Sequence, residues 1–164
     1  MTMILEVKTY PSIQNPWRYI LKVNKWNGLC AEYIIEFRNG DAIAPYLAGY
    51  YSQEELRERT LMVDFFDIEA IHDITGREKF AKFTDMHYSP VELERFFIEG
   101  IAEAIFDVVE QTKSTIIFGA PLTEALARYY HRLLKKYAEQ VNYKYREDIR
   151  REANFYVIET ERRS

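Results

Sequence analysis

Two alternating runs joined by a favoured turn constrain the fold of this chain most strongly. Residues 17–26 (WRYILKVNKW) alternate between apolar and polar side chains, with Trp17, Tyr19, Leu21 and Val23 on one side. Asn27-Gly28 follows, a pair that favours the tight turn of a β-hairpin. Residues 29–37 (LCAEYIIEF) return as the partner strand, in which we expect Cys30 to be a small buried hydrophobe. The pattern predicts an antiparallel hairpin.

A strand–helix–strand unit is predicted further along the chain. Residues 61–71 (LMVDFFDIEAI) are rich in β-branched and aromatic side chains and indicate a central strand. Residues 89–92 (SPVE) are a capping box with proline at the first helical position, and they open an amphipathic helix to about residue 111. Residues 115–118 (TIIF) form a short apolar strand. Such a unit pairs its strands in parallel with a right-handed crossover.

Shorter elements complete the predicted order. Residues 52–55 (SQEE) are a second capping box, in which Glu55 reaches back to the Ser52 backbone, and they open a short helix. The other predicted elements are a strand at 5–10, a helix capped by Thr123, and final strands at 142–145 and 154–158. Because the segment between the last two strands (REDIRREA) has helical propensity, their hairpin is left open. The order predicts an α/β (α+β) fold with helices flanking a mixed, mostly antiparallel sheet.

Composition narrows the class of protein. The 164 residues suit a single domain over 1–164, with 22 basic and 26 acidic side chains. A net charge of -4 lacks the basic footprint of a nucleic-acid binder, so no such partner is expected. Cys30 is the one cysteine, which excludes an intrachain disulfide. The chain lacks a signal-peptide pattern and any run near the ~18 apolar residues of a membrane span, so we expect a cytoplasmic protein without membrane contact.

The last third of the chain carries a family resemblance. Residues 123–130 (TEALARYY) are similar to the Asn-x-x-Ala-x-x-Leu-Tyr signature on the helix after the fifth strand of GCN5-related N-acetyltransferases (GNAT). The element order over residues 61–158 also resembles the second half of that fold, and residues 155–158 (FYVI) look like the final strand of degenerate members. The resemblance therefore implies a GNAT-like scaffold.

The resemblance also implies a reaction and its residues. In that chemistry an amine attacks the thioester of acetyl-CoA, and a proton donor helps to expel the thiolate. Tyr130 matches the tyrosine that acts as the general acid, and Glu69 on the central strand would be the base. The cofactor contacts implied for acetyl-CoA are Phe65, Ile68, Arg77 and Thr123. Amphipathic helices also carry tyrosines as packing residues, so a packing role for Tyr130 stays open.

One stretch departs from the family pattern. The family binds the cofactor pyrophosphate through an Arg/Gln-x-x-Gly-x-Gly/Ala loop, whereas residues 85–92 (DMHYSPVE) contain no glycine. Pro90 removes a backbone donor there, and Asp85, Glu92 and Glu94 add negative charge. The alternative to an acyltransferase is therefore a non-catalytic protein-interaction module on a GNAT-like scaffold.

A group of carboxylates follows the predicted central strand. Asp67, Glu69 and Asp73 share parity along the chain, with His72 and His87 nearby in sequence. Carboxylates on one face can hold Mg²⁺ for phosphodiester chemistry. A solvated sheet edge, or salt bridges to Arg77 and Lys79, also explains the pattern. We assign no metal site to it.

Two tyrosine-rich segments offer contact surfaces. Residues 128–151 mix basic and aromatic side chains, but acidic residues dilute the charge and indicate a solvated helical face, with His131 an ordinary surface histidine. Residues 43–51 (IAPYLAGYY) lack helix or strand periodicity. Tyr46, Tyr50 and Tyr51 in this segment could contact a protein partner or a second copy of the chain, since tyrosine is enriched at interfaces, or they could pack into the core.

Overall fold

The structure is a computed structural model that describes residues 5–11, 17–25, 28–40, 44–67, 88–119 and 124–163. The chain forms two compact units. The first unit is Met1–Glu36 with Asp64–Asp107, and the second unit is Phe37–Val63 with Val108–Ser164. The single domain predicted over 1–164 stays a prediction.

Three strands come first along the chain, and helices and strands follow in mixed order. The strands are β1 (Leu5–Pro11), β2 (Arg18–Lys25), β3 (Cys30–Asn39), β4 (Thr60–Asp67), β5 (Ile116–Gly119), β6 (Lys144–Tyr145) and β7 (Tyr156–Glu159). The helices are α1 (Ala44–Leu47), α2 (Gln53–Glu58), α3 (Pro90–Phe96), α4 (Ala102–Thr112), α5 (Glu124–Tyr137) and α6 (Glu147–Ala153). A π-helical turn at Phe97–Ile101 joins α3 to α4, so the amphipathic helix predicted from the capping box is confirmed.

The first unit contains the predicted hairpin, which is confirmed. Strand β2 pairs antiparallel with β3 in a register from Arg18↔Glu36 to Asn24↔Cys30, and β1 pairs antiparallel with β2. The inward face of β2 carries Tyr19, Leu21 and Val23, all of them buried. The period of two along the strand therefore produces the apolar face that the sequence indicates.

Two side chains of this hairpin differ from expectation. Trp17 was expected on the buried side, but it lies just before β2 and is 40% exposed, because the ladder that orders its neighbours begins at Arg18. Cys30 is exposed rather than buried. It is the first residue of β3, and on its face Glu32 and Glu36 are partly buried while Ile34 is fully buried, so its exposure belongs to the start of the strand.

The second unit contains the parallel pair and the C-terminal strands. Strand β4 pairs in parallel with β5, with Thr60↔Ile116 and Met62↔Phe118 in register, which confirms the predicted parallel pairing. The predicted right-handed crossover stays a prediction. Strand β5 also pairs antiparallel with β7, and β7 pairs antiparallel with β6. The core of this unit is made of Leu47, Tyr51, Leu56, Ile116, Phe118, Ile149 and Val157.

The strand order in the sheet is β1-β2-β3-β4-β5-β7-β6. A parallel pair beside antiparallel pairs confirms the predicted mixed, mostly antiparallel sheet with helices. For the C-terminal residues, the sequence left open whether two strands form a hairpin or a helix lies between them. Both are present, since α6 connects the short strand β6 to β7. Residues 44–47, which showed no periodicity, form one helical turn.

Candidate functional site

The segment from α1 to α2 forms one wall of an open groove in the second unit. The groove has a volume of about 640 Å³ and is lined by Pro45, Ala48, Tyr51, Ser52, Gln53, Leu56 and Arg57. Ligand pockets commonly measure about 300–1,000 Å³, so the space admits a few side chains of a partner. The lining is apolar at its centre and polar along α2.

Arg57 gives the groove a positive charge. It lies in the last turn of α2, is exposed, and forms no hydrogen bond or ion pair within the described part of the chain. Its neighbour Leu56 is fully buried and closes the floor of the groove. An apolar floor beside an unpaired guanidinium fits a ligand that combines a hydrophobic group with a carboxylate.

The three tyrosines predicted as a contact surface have different environments. Tyr46 is 67% exposed, and its ring lies 6.1 Å from that of Phe155. Tyr50 is half-buried and its hydroxyl donates to Glu152 Oε1 at 3.0 Å. Tyr51 is only 6% exposed and belongs to the core, so it takes the packing alternative that the sequence left open. Tyr46 alone of these three is a prominent surface side chain.

A cluster around Arg146 fixes Tyr51 at the side of the groove. The Tyr51 hydroxyl donates to Glu159 Oε2 at 2.6 Å, and Arg146 Nη1 donates to both groups at 3.1 and 2.8 Å. Arg146 Nε and Nη2 hold Asp148 in a two-pronged contact at 2.9 and 2.7 Å. These two bonds, first among the causes, raise the pKa of Arg146, and they lower the pKa of Asp148 to about 2.

The pKa values in this cluster keep its charges fixed at neutral pH. Burial and the hydrogen bond to Glu159 raise the pKa of Tyr51 well above its ordinary value, so its hydroxyl keeps its proton. Burial opposes ionisation of Glu159, but bonds from Tyr51 and Arg146 outweigh it and lower the pKa of that carboxyl. The cluster therefore acts as a fixed support for the groove.

The start of α2 differs in one detail from its predicted capping box. Ser52 Oγ accepts from the Glu55 backbone N–H at 3.2 Å, as expected for the cap. The Glu55 carboxylate does not reach back to Ser52. It accepts instead from Thr115 Oγ1 at 2.7 Å and from Arg163 Nε at 2.9 Å, and the second of these bonds is charge-assisted. Glu55 thus ties α2 to β5 and to the C-terminal segment.

Tyr130, the predicted general acid, lies in a second polar cluster of this unit. Its ring contacts that of Tyr156 edge-on at 6.2 Å, and Arg150 Cζ lies 5.4 Å from the centre of the Tyr156 ring. His131 is half-buried and not an ordinary surface residue, because its Nδ1 shares a hydrogen bond of 2.6 Å with the Tyr145 hydroxyl. Burial raises the pKa of Tyr145 to about 12, so that hydroxyl is protonated.

The first turn of α3, in the first unit, is closed by its own side chains. Ser89 Oγ accepts from the Glu92 backbone N–H at 3.2 Å, and Glu92 Oε1 accepts from the Ser89 N–H at 2.9 Å, which confirms this capping box. The Glu92 side chain is buried and lies 3.2 Å from the ammonium of buried Lys25. Burial opposes ionisation, but the bonds from Ser89 and Lys25 outweigh it and lower the pKa of Glu92.

This arrangement does not fit the pyrophosphate of acetyl-CoA. A phosphate-binding helix start offers free backbone N–H groups, whereas Pro90 has none and the N–H groups of Glu92 and Leu93 are already bonded to Ser89. The ionised Glu92 would also repel a phosphate at this position.

Most of the other predicted site residues lie where the structure makes no statement. Phe65 is on β4, but its side chain is outside the described part. Glu69, Ile68, Arg77 and Thr123 lie outside the described residues, as do Asp73, His72 and His87. Within the described ranges no group of three or more His, Cys, Asp or Glu side chains could hold a metal ion.

Sequence reasoning missed the charged partners of these sites. Lys25 shares the parity of Tyr19, Leu21 and Val23, and this signal could have placed it on the buried face. The partners of Arg146 are far apart in sequence, and no local pattern relates Tyr51 to Glu159. No sequence pattern marks Arg57 as a groove residue, beyond its place in a short helix.

The comparisons with known proteins add no family to this picture. No protein-family model, no curated protein and no solved structure matches the chain. Among the helices that the structure describes, none is long and apolar enough to cross a membrane.

Proposed function

We propose that this chain is a protein-interaction module on a GNAT-like scaffold, and that its groove at α1 and α2 binds an extended, acidic segment of a partner protein. The single observation that carries the proposal is the groove itself, where Arg57, which pairs with no other described residue, lies beside buried Leu56. Tyrosine and arginine are among the side chains enriched at protein interfaces, and exposed Tyr46 lies in α1 between groove residues Pro45 and Ala48.

The order of the strands supports the scaffold. The parallel β4–β5 pair, followed by antiparallel β5–β7 and β6–β7 pairs, agrees with the element order on which the resemblance rests. The closed first turn of α3 supports a member without the acetyl-CoA site. A single exposed cysteine and no disulfide are typical of a cytoplasmic protein, which we include in the proposal.

The partner segment is expected to combine two features. An aromatic or branched side chain would cover Leu56 and Pro45, and an aspartate or glutamate would pair with Arg57. Ser52 and Gln53 can bond the segment's backbone. The fixed position of Tyr51 in the Arg146 cluster keeps this wall preorganised, which lowers the entropy cost of binding.

Selection of peptides against the immobilised full chain tests the proposal. From a library of random short peptides we expect sequences in which an apolar side chain neighbours an acidic one. Fluorescence anisotropy then measures the dissociation constant of the selected peptides. Arg57→Glu is expected to weaken binding by about tenfold or more, and Ala48→Trp, which fills the groove, to abolish it.

The matched control is Arg151→Glu, the same charge reversal at an exposed arginine of α6. It is expected to leave the dissociation constant within about twofold of the wild type, because Arg151 does not line the groove. Selected peptides without acidic residues, or equal losses in the two charge reversals, would contradict the proposal. Peptide-independent self-association removed by Arg57→Glu would instead identify a second copy as the partner and overturn the acidic-segment proposal.

The acyltransferase is the second candidate function, favoured by half-buried Tyr130 beside Tyr156 on the helix that carries the GNAT-like signature. Calorimetric titration with acetyl-CoA separates the two candidates. We expect no binding at millimolar cofactor, because Pro90 has no N–H and the N–H groups of Ser89, Glu92 and Leu93 are already bonded. Micromolar binding, with turnover lost and affinity retained in Tyr130→Phe, would establish the enzyme and overturn the interaction module.

A further inference from the structure

The outward face of α5 carries four positive charges. Among the α5 side chains that the structure describes, the exposed ones are Arg128, Arg132, Lys135 and Lys136. At about 100° per residue these positions fall within about 100° of the helix circumference, whereas Leu133 is buried on the inward side. The four charges therefore form one stripe, which we call the basic face of α5.

The helix contains no acidic side chain that could neutralise this stripe. Residues 125–138 include no Asp or Glu, although the chain as a whole has 26 acidic residues. Arg128, Arg132 and Lys136 follow one another at four-residue spacing, where like charges repel and destabilise a helix. The helix dipole favours Lys135 and Lys136 in the last turn but does not account for the two arginines. The stripe costs stability in the free protein, and a partner of opposite charge would offset that cost.

The acidic residues of α6, which follow this helix in the sequence, have their own contacts. Arg146 holds Asp148, and Glu152 accepts from the Tyr50 hydroxyl at 3.0 Å. Glu147 lies 3.5 Å from the Lys135 ammonium, in an ion pair that is exposed on both sides and therefore weak. The basic face of α5 thus keeps a net positive charge at the surface.

We propose that the basic face of α5 docks an acidic segment of a partner protein. Arg128, Arg132 and Lys136 succeed one another at about 6 Å along the helix axis. A partner helix with Asp or Glu at every fourth position repeats at the same distance, so each carboxylate can pair with one cation. Charge complementarity of this kind orients a partner and speeds its association.

The remaining charges favour a protein segment over a nucleic acid. The chain has a net charge of -4 in spite of the four cations, so its surface outside α5 repels a long polyanion. A short acidic segment meets only the stripe. None of the groove residues belongs to α5, so docking on this face is separate from the groove at Arg57 and does not depend on the proposed function.

Fluorescence anisotropy of labelled probes, titrated with the full chain at low salt, tests the proposal. The probes are an alanine-rich helical peptide with glutamate at every fourth position, the same peptide with glutamine instead, and a single-stranded DNA oligonucleotide. Phosphatidylserine vesicles are tested by co-sedimentation. We expect the glutamate peptide alone to bind, and sodium chloride to weaken it severalfold because the contact is exposed. Equal binding of the glutamine peptide, or no binding of any probe, would overturn the proposal. Tighter binding of the oligonucleotide or of the vesicles would overturn it as well and identify that class of partner.

A triple variant locates the contact. Arg128→Gln, Arg132→Gln and Lys136→Gln together remove three charges and keep side chains of good helix propensity. We expect the dissociation constant of the glutamate peptide to rise about tenfold or more. The Tm should stay at or above that of the wild type, because the repulsion at four-residue spacing is removed. An unchanged dissociation constant would overturn the proposal.

The matched control removes the same charge elsewhere. Lys22→Gln, Arg95→Gln and Lys113→Gln together act on three surface ion pairs outside α5. This variant is expected to keep the dissociation constant within about twofold of the wild type. Equal losses in the two triple variants would show that binding follows net charge alone, and they too would overturn the proposal.

Discussion

At the residue scale, Lys25 and Glu92 place opposite charges inside the first unit. Their side chains are 4% and 2% exposed, and the ammonium lies 3.2 Å from Glu92 Oε1. Withdrawing an ion from water is costly, and the pair is tolerated because Ser89 and Lys25 both donate to the carboxylate. The same carboxylate closes the first turn of α3, so one side chain both contributes to the local stability and occupies the Ser89 N–H.

Glu92→Gln tests the contribution of this charge. Glutamine can still close the capping box, so the change removes the charge and leaves Lys25 buried without its carboxylate. We expect the free energy of unfolding, measured by urea denaturation, to fall by about 3 kcal/mol. Glu32→Gln is the control, because its pair with Lys22 is exposed on both sides and should contribute less than about 1 kcal/mol. Equal losses in the two variants would show that the buried pair is not energetically distinct.

At the element scale, Arg146 connects three parts of the second unit. It precedes α6 and holds Asp148 in the first turn of that helix, while its Nη1 reaches Glu159 on β7 and Tyr51 before α2. The planar guanidinium makes these contacts in one orientation, which an ammonium group cannot do. Arg146, which lies between β6 and α6, thus contacts residues of three separate segments.

Arg146→Lys keeps the positive charge and removes the planar guanidinium that makes the two-pronged contact. We expect it to lower the free energy of unfolding by about 2 kcal/mol, because the two-pronged contact with Asp148 and the bond to Tyr51 cannot both form. Arg151→Lys on the exposed face of α6 is the control and should change stability by less than about 0.5 kcal/mol. Faster amide exchange in α6 of the lysine variant would locate the loss, and unchanged exchange there would count against this role.

At the scale of the whole molecule, ionised carboxylates link stability to pH. The pKa of Asp148 is lowered to about 2 by Arg146, and hydrogen bonds lower those of Glu159 and Glu92. A carboxyl whose pKa is lower in the folded state contributes stability above its unfolded pKa, and that stability is lost as pH falls through the folded value. These groups should therefore destabilise the fold together in acid.

The urea midpoint measured across a pH series is expected to be flat near neutrality. It should then fall steadily from about pH 5 to pH 2, the window between the ordinary carboxyl pKa values and that of Asp148. In Arg146→Lys the fall should be shallower, since one ammonium cannot replace both the two-pronged contact with Asp148 and the bond to Glu159 that lower their pKa values. A midpoint independent of pH in this window would contradict these assignments.

The features that were predicted correctly are those determined by residues close together in the sequence. The alternation of β2, the turn at Gly28 and the capping box at Ser89 are local, and the hairpin and the helix from Pro90 were predicted correctly. Glu55 was assigned to the wrong partner because Thr115 and Arg163 approach it only in the folded chain. Predicting the groove required knowing which of the tyrosines at 46, 50 and 51 is buried. A segment without periodicity does not indicate this.

An NMR titration tests most directly the claim that the groove binds an acidic segment of a partner protein. The backbone amide resonances report which residues contact the ligand. The full chain is titrated with the tightest selected acidic peptide and, separately, with millimolar acetyl-CoA. The account predicts that the peptide shifts resonances of residues 45–57 and that acetyl-CoA leaves residues 88–93 unchanged. Shifts at residues 88–93 and at Tyr130 with acetyl-CoA, and none at residues 45–57 with any selected peptide, would contradict the interaction module and support the acyltransferase.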